Sequence, residues 1–448
     1  MATVHTATHV DDLPEDIRLA ETKKAAKSGF FGALAEYYDF GLYGTASALI
    51  FPVVFFGGAD NPQLATIASL GSFGVAYLAR PLGAVVLGHL GDTWGRKNTL
   101  YLTLGLMGFA TMVIGFLPSY EAIGPAAAII LLLMRLIQGF SAGGEQAGSN
   151  TLTSEWAPPA RRGHFTAFTM HGLALGQLLA LGAFIPFSGD DSFLFGIGWR
   201  IPYFIAIPII LYALWVRSKV SDPITTPTSP VEAPDGQAAD RTDAKAPDTS
   251  LRNLFANHWR SVLRVICMGQ YAITGTLLGN YALNYGTTQW GIEKNVLLAL
   301  ATGSMVFGLA VQPAWASLSD RIGRRPVYLT SMIALVLLFP VMFYALQTQN
   351  GWFIAVMFTI VGLVATGGNV VQASLYTELF PTEVRMAGYA VSTQIGNIIV
   401  GFTPMISAIL VRPGAFGWVP VLAFTSAMMT LGIIACFTTK ETRGSVIV

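Results

Sequence analysis

The chain has 448 residues, of which 53% are hydrophobic and only 11% charged, with a net charge of +1. A soluble domain carries about 25% charged residues, and a chain this close to neutral offers nucleic acid no basic surface. These figures exclude an ordinary soluble protein and a nucleic-acid partner, and they leave a protein that lies mostly in the lipid bilayer.

Residues 1–28 are polar and mixed in charge, with Arg18, Lys23, Lys24 and Lys27 near their end. They read as a cytoplasmic tail and not as a cleavable signal peptide. Six apolar spans follow, over 29–56, 64–90, 98–117, 124–150, 163–187 and 199–217. Each is long enough to cross about 30 Å of hydrocarbon. Residues 219–255 open with a stretch rich in Pro, Asp, Thr and Ala that cannot bury a core, so they read as a cytoplasmic linker. Six more spans occupy 261–288, 295–318, 326–346, 351–378, 385–411 and 416–437, and a short tail covers 439–448. Lipid offers no partner to free backbone groups, so every span must be helical. The expected fold is an all-α integral membrane protein. Twelve transmembrane helices form two pseudo-symmetric six-helix bundles, over 29–218 and 256–438.

Lys and Arg set the orientation. Arg200, Lys294 and Arg412 alone lie opposite the termini, and Arg80 and Arg135 lie inside spans; the rest of the 26 share the side of the termini. That bias puts both termini and the linker in the cytoplasm of a plasma (inner) membrane protein. Cys267 and Cys436 lie within apolar runs and read as small core residues, with no metal site.

One charged, glycine-rich turn organises the chain: Gly88, Gly91, Asp92, Gly95, Arg96 and Lys97. It returns about half the chain later as Asp320, Gly323, Arg324 and Arg325. A second set, Glu155, Pro158 and Arg162, returns as Glu378, Pro381 and Arg385. One ancestral half written twice accounts for both. In membranes, small residues such as Gly88 and Gly91 let helices approach closely. Asp92 is placed to accept from the first amides of the third span. Arg96 and Lys97 can pair with acids such as Glu155. We expect these residues to hold the cytoplasmic side shut until it opens, beyond serving as positive-inside anchors.

Twelve spans in two halves with this repeated turn resemble the major facilitator superfamily. Finer matches are Glu36-Tyr37-Tyr38-Asp39-Phe40-Gly41 in span 1, Arg80-Pro81-Leu82-Gly83 in span 2, Gln138-Gly139-Phe140-Ser141-Ala142-Gly143-Gly144-Glu145 in span 4 and Gly198-Trp199-Arg200-Ile201-Pro202 at the opening of span 6. Together they resemble the metabolite:proton symporter family, which takes up organic acids, shikimate or zwitterionic osmolytes. The resemblance implies proton-coupled uptake by alternating access, with the proton as coupling ion, no other cofactor, and a monomer as the working unit.

The charges inside the spans point to chemistry, because such groups are expensive in a membrane. Glu36, Asp39, Arg80 and Glu145 lie at similar depths and are expected to form one network. A buried carboxylate without a cation takes up a proton, because desolvation penalises the charged form. Either Asp39 or Glu145 could carry the proton, with Glu36 orienting Asp39; alternatively the group only locks the bundle. Arg135 lies near the middle of span 4, with Gln138 one turn away. Its planar fork suits a substrate carboxylate, although a structural ion pair would use the same residue. Tyr43, His171, Gln177, Tyr271, Asn280, Asn284, Asn369 and Gln394 complete the candidate substrate-binding inventory, with helix packing the alternative for His171.

The leading expectation is uptake of a small organic anion. The alternatives are symport of a zwitterion such as betaine or proline, or antiport. An osmosensor is a further class, but its relatives often extend into a coiled coil, for which 439–448 is too short. A membrane enzyme would need a phosphate-binding loop, a His-Glu-x-x-His or a nucleophile elbow, and the sequence has none of these.

Overall fold

A computed structural model describes residues 14–57, 61–157, 162–221, 251–381, 384–414 and 416–441. Twelve membrane-crossing segments run through them. The first half holds α1 (Glu15–Leu49), α2 (Pro62–Trp94), α3 (Arg96–Phe116), α4 (Ala126–Trp156), α5 (Arg162–Gly182) and α6 (Arg200–Ser218). The second holds α7 (Trp259–Trp290), α8 (Lys294–Ile322), α9 (Arg324–Thr348), α10 (Gly351–Thr377), α11 (Arg385–Leu410) and α12 (Val419–Phe437).

Eleven of these are long and apolar enough to cross a membrane on length and composition alone. The exception is α1, which carries Glu36, Asp39 and three tyrosines in its C-terminal half. It is also the helix most enclosed by others, with nearly every residue from Ser28 to Leu49 buried. The least apolar helix can therefore cross the bilayer because protein, rather than lipid, surrounds it.

The duplication is visible in the packing. α1 lies against α5 and α6, as α7 lies against α11 and α12. The α2–α4, α3–α4 and α3–α6 contacts of the first half return as α8–α10, α9–α10 and α9–α12. The halves meet through α2 with α11, α5 with α8, and α1 with α7. Close approach within the first half depends on glycines of α4 and α5. A Cβ on Gly139 or Gly143 would collide with the carbonyl oxygens of Ala76 and Arg80 on α2, and one on Gly172 or Gly176 with those of Phe30 and Leu34 on α1. Backbones that touch in this way give membrane helices their van der Waals contact.

Several expectations are corrected. α1 begins at Glu15, so the segment assigned to the 1–28 tail is helical from there. Leu19, Ala25 and Ala26 of this extension join small apolar clusters with Trp156, Ala157 and Phe165, and Arg18 and Thr22 donate to the Trp156 carbonyl. The 219–255 linker ends in a short helix over Leu251–Asn257, and 222–250 lie outside the described residues. Gly88 does not serve close packing: a Cβ there would meet nothing within 4 Å, and Gly91's nearest neighbour is Thr99 Oγ1 at 4.0 Å. α7 is not regular either. It passes through a 3-10 turn at Gly269–Ala272 and a π turn at Leu277–Tyr281.

Candidate functional site

One stripe of α1 arranges the site. Ser28, Gly32, Glu36, Asp39 and Tyr43 recur at the three- and four-residue spacing that keeps side chains on one helix face. All are buried. Around this stripe the acids and arginines form three layers, where the sequence suggested a single network.

The layer nearest the termini is Glu145 of α4 with Arg217 of α6. Arg217 is completely buried and uses all five of its N–H donors. Nη2 donates to Glu145 Oε1 at 2.6 Å and to Ser149 Oγ at 3.2 Å; Nη1 donates to Glu145 Oε2 at 3.0 Å and to the Leu100 carbonyl at 2.8 Å; Nε donates to Ser28 Oγ at 3.2 Å. Thr103 and Ser149 hydroxyls also donate to Glu145. Gly32 makes room for the pair, since a Cβ there would strike both Arg217 Nη2 and Glu145 Oε1. Both carboxylate oxygens are thus occupied. This is the geometry of a lock, in which every oxygen of Glu145 already has a donor. Arg217 was grouped with the basic loop residues in the sequence, where nothing local links it to Glu145.

The middle layer is Glu36 with Arg80 of α2, at 3.6 Å between Oε1 and Nη2. This is an ion-pair distance, longer than a charge-assisted hydrogen bond. Arg80 is held chiefly by ring faces, 4.1 Å from the centroid of Phe40 and 4.6 Å from that of Tyr77. Glu36 Oε2 is buried with no hydrogen-bond partner among the described residues.

The third layer is built on Asp39. Its Oδ1 accepts from the Thr111 hydroxyl of α3 and from Gln138 Nε2 of α4 at 2.9 Å. Gln138 Oε1 in turn accepts from Arg135 Nη1 at 3.1 Å. Arg135 is completely buried, with its guanidinium 4.0 Å from the Tyr43 ring centroid, 4.4 Å from Phe40 and 5.2 Å from Phe73. The Tyr43 hydroxyl donates to Ser72 Oγ at 2.7 Å. Asp39 Oδ2 and Arg135 Nε have no hydrogen-bond partner among the described residues. Arg135 is therefore linked to Asp39 through Gln138 and aromatic faces.

The second half supplies neutral groups. Asn284 donates to the Ala48 carbonyl at 2.9 Å, joining α7 to α1 across the halves, and Asn280 packs against Gly44 beside it. Gln177 lies against Gly41, and Gln394 is buried in α11. His171, beside Phe168, and Asn369 are exposed. Tyr271 does not join them: its hydroxyl donates to the Ala365 carbonyl and accepts from the Gly368 amide, so it braces α7 against α10. Nearby contacts between the halves include Gly71 with Met405, Gly74 with Phe402 and Tyr77 with Gly401. Lys294 pairs with Asp191 on the face opposite the termini.

At the repeated turns, Gly95 and Gly323 have φ of 94° and 106°, a region that favours glycine, and each precedes the next helix. Arg324 pairs with Glu378 at 3.2 Å, the second-half counterpart of the pairing expected between Arg96 or Lys97 and Glu155. The first amides of α9, of Arg324 and Arg325, donate to Glu441 beyond α12, each at 3.0 Å. A carboxylate at a helix N-terminus is what the cap requires, but in this half it comes from Glu441, a residue that sequence spacing did not suggest. Lys97 donates to the Ser218 carbonyl at 3.1 Å. The side chains of Asp92, Arg96, Glu155, Arg162, Asp320 and Arg385 lie outside the described residues.

Two six-helix halves, the first of which buries a charged core, define a multi-pass membrane transporter of the major facilitator type. The sugar (and other) transporter family matches residues 28–222 and 227–447. The chain belongs to that family. It is 34% identical to the shikimate transporter of Escherichia coli K12 over 435 residues, covering 95% of this chain and 96% of that one. It is 32% identical to the proline/betaine transporter of the same strain over 449 residues, covering 98% and 86%. The solved D-xylose-proton symporter superposes with a TM-score of 0.72 at 17% identity, covering 94% of this chain and 99% of that one, which supports the fold.

Proposed function

We propose that the protein is a proton-coupled symporter that takes up a small carboxylate-bearing solute by alternating access, with both termini in the cytoplasm. The observation that carries this reading is the sealed Asp39–Gln138–Arg135 chain. When Asp39 is charged, it compensates Arg135 through Gln138. When a proton occupies Asp39, Arg135 stands as a buried cation among the rings of Phe40, Tyr43 and Phe73, a situation that costs several kcal/mol if no anion answers it. A solute carboxylate answers it. Proton and anion thus favour each other's entry, which is the thermodynamic content of coupling. Arg135 is sealed in the conformation described, so the solute reaches it only when the halves part. Asn280, Asn284 and Gln177, near the junction of the halves, are suited to the solute's neutral groups.

The proline/betaine relative favours a second reading, in which the solute is a zwitterion whose carboxylate meets Arg135. Reconstituted protein offered shikimate, other small organic acids, betaine and proline under an inward proton gradient separates the two. Accumulation of at least one acid that an uncoupler abolishes supports the leading reading. Accumulation of betaine or proline alone supports the second, and accumulation indifferent to the uncoupler refutes both.

A further inference from the structure

We propose that Glu36 is a second proton-carrying group, one turn below Asp39, through which the proton passes toward the face that carries the termini. The inference rests on the symport reading and extends it from one carboxylate to two. It starts from how differently the buried acids of the three layers are bonded. Glu145 has both oxygens filled by Arg217, Thr103 and Ser149. Asp39 and Glu36 each keep one buried oxygen, Oδ2 and Oε2, with no hydrogen-bond partner among the described residues. An oxygen of that kind is where a proton can sit without displacing a donor.

The two acids are three residues apart on one face of α1, about 4.5 Å of axial rise. Their arginines share an aromatic ring: the guanidiniums of Arg80 and Arg135 lie 4.1 Å and 4.4 Å from the centroid of Phe40. Phe40 thus joins the layers without a hydrogen bond. Arg80 holds Glu36 only at 3.6 Å, which leaves the pair free to loosen. The charged and titratable groups acting on Glu36 are Arg80 of α2, Asp39 and Tyr37 of its own helix, Glu145 of α4 and Arg217 of α6.

In the transfer, the O–H bond at Asp39 breaks, an O–H bond forms at Glu36, and the negative charge moves from Glu36 to Asp39. Asp39 then compensates Arg135 again, and the solute's carboxylate loses its hold. Arg80, beside a neutral Glu36, stays on the faces of Phe40 and Tyr77. Glu36 gives its proton to water on the cytoplasmic side once that side opens, and Arg80 recovers its partner.

The test is infrared difference spectroscopy of the full chain in lipid nanodiscs as pH is changed, read in the C=O stretch of protonated carboxyls. The proposal predicts two buried carboxyl bands, one lost in Glu36→Gln and the other in Asp39→Asn. Glu36→Asp keeps a carboxyl and is expected to shift the first band instead of removing it, which covers the case in which Glu36→Gln fails to fold. If Asp39→Asn removes the whole pH-dependent signal and neither Glu36 variant changes it, Glu36 is not a proton carrier, while the symport reading stands. If the Glu36 variants alone change it, Asp39 does not carry the proton, and both the relay and the role given to Asp39 fall.

Discussion

Arg217→Met tests whether the layer nearest the termini is a lock. The substitution keeps most of the side-chain volume and removes five donors at once. Glu145 is left buried with two hydroxyl donors, from Thr103 and Ser149, and no cation. Removing one partner of a buried ion pair typically costs about 3–5 kcal/mol. The Leu100 carbonyl also loses a hydrogen bond, worth about 1 kcal/mol. We therefore expect one of the largest single-site losses in the first half. The same reasoning predicts recovery: Arg217→Met combined with Glu145→Leu removes both charges, and an apolar pair of similar volume is often neutral or better. Gly32→Ala should be severe in the wild type, because the added methyl strikes both partners, and mild in the double variant, where neither remains. The assay is thermal unfolding of purified protein in one detergent at fixed pH, concentration and heating rate, since unfolding of such a protein is a rate-governed process. The expected order of melting temperature is wild type near the double variant, with Arg217→Met well below. A single variant that melts with the wild type, or a double variant worse than the sum of the singles, refutes the lock.

Asp39→Asn should retain solute exchange between equal concentrations across a vesicle membrane while losing accumulation driven by a proton gradient by at least about 10-fold, about 1.4 kcal/mol; counterflow beside gradient-driven uptake reads both. Arg135→Lys should weaken solute binding strongly, because an ammonium replaces neither the planar fork nor its stacking on Tyr43 and Phe40; equilibrium binding checks it, and unchanged affinity would make Arg135 purely structural. Lys294→Ala should change stability by no more than about 1 kcal/mol, as an exposed pair does, yet raise labelling of an Asn280→Cys probe by a membrane-impermeant maleimide in a Cys267→Ser/Cys436→Ser background, because the lost pair with Asp191 joins the halves. Asp92→Asn and Asp320→Asn should slow transport while leaving solute binding in place, which comparing rate with binding in the same preparation decides.

The sequence was most informative where the signal is periodic or duplicated. Span length, the bias of Lys and Arg and the repeated turn each act over many residues, and together they point to two six-helix halves. Burial of Glu36, Asp39, Arg80 and Arg135 was also legible, because a charge inside a span has few places to go. Partnership was not. Arg217 and Glu145 are 72 residues apart, and their bond depends on the rotation of α4 and α6 about their own axes, which a weak hydrophobic periodicity does not fix. Glu441 caps α9 from beyond α12, a match that exists only in three dimensions. Gly88 and Gly143 look alike as letters, yet one faces open space and the other a carbonyl of α2. Tyr271 read as a polar group of the cavity because nothing in its neighbours shows that the α10 backbone takes up its hydroxyl.

The most direct test of the symport account is proton movement on addition of solute. Vesicles containing the protein and a trapped pH dye, with no imposed gradient, receive shikimate, betaine or another transported solute from outside. The account predicts acidification of the lumen that begins with the solute, is absent with a solute that is not transported, and disappears in Asp39→Asn. Solute entry in the wild type without any change in lumen pH would contradict it.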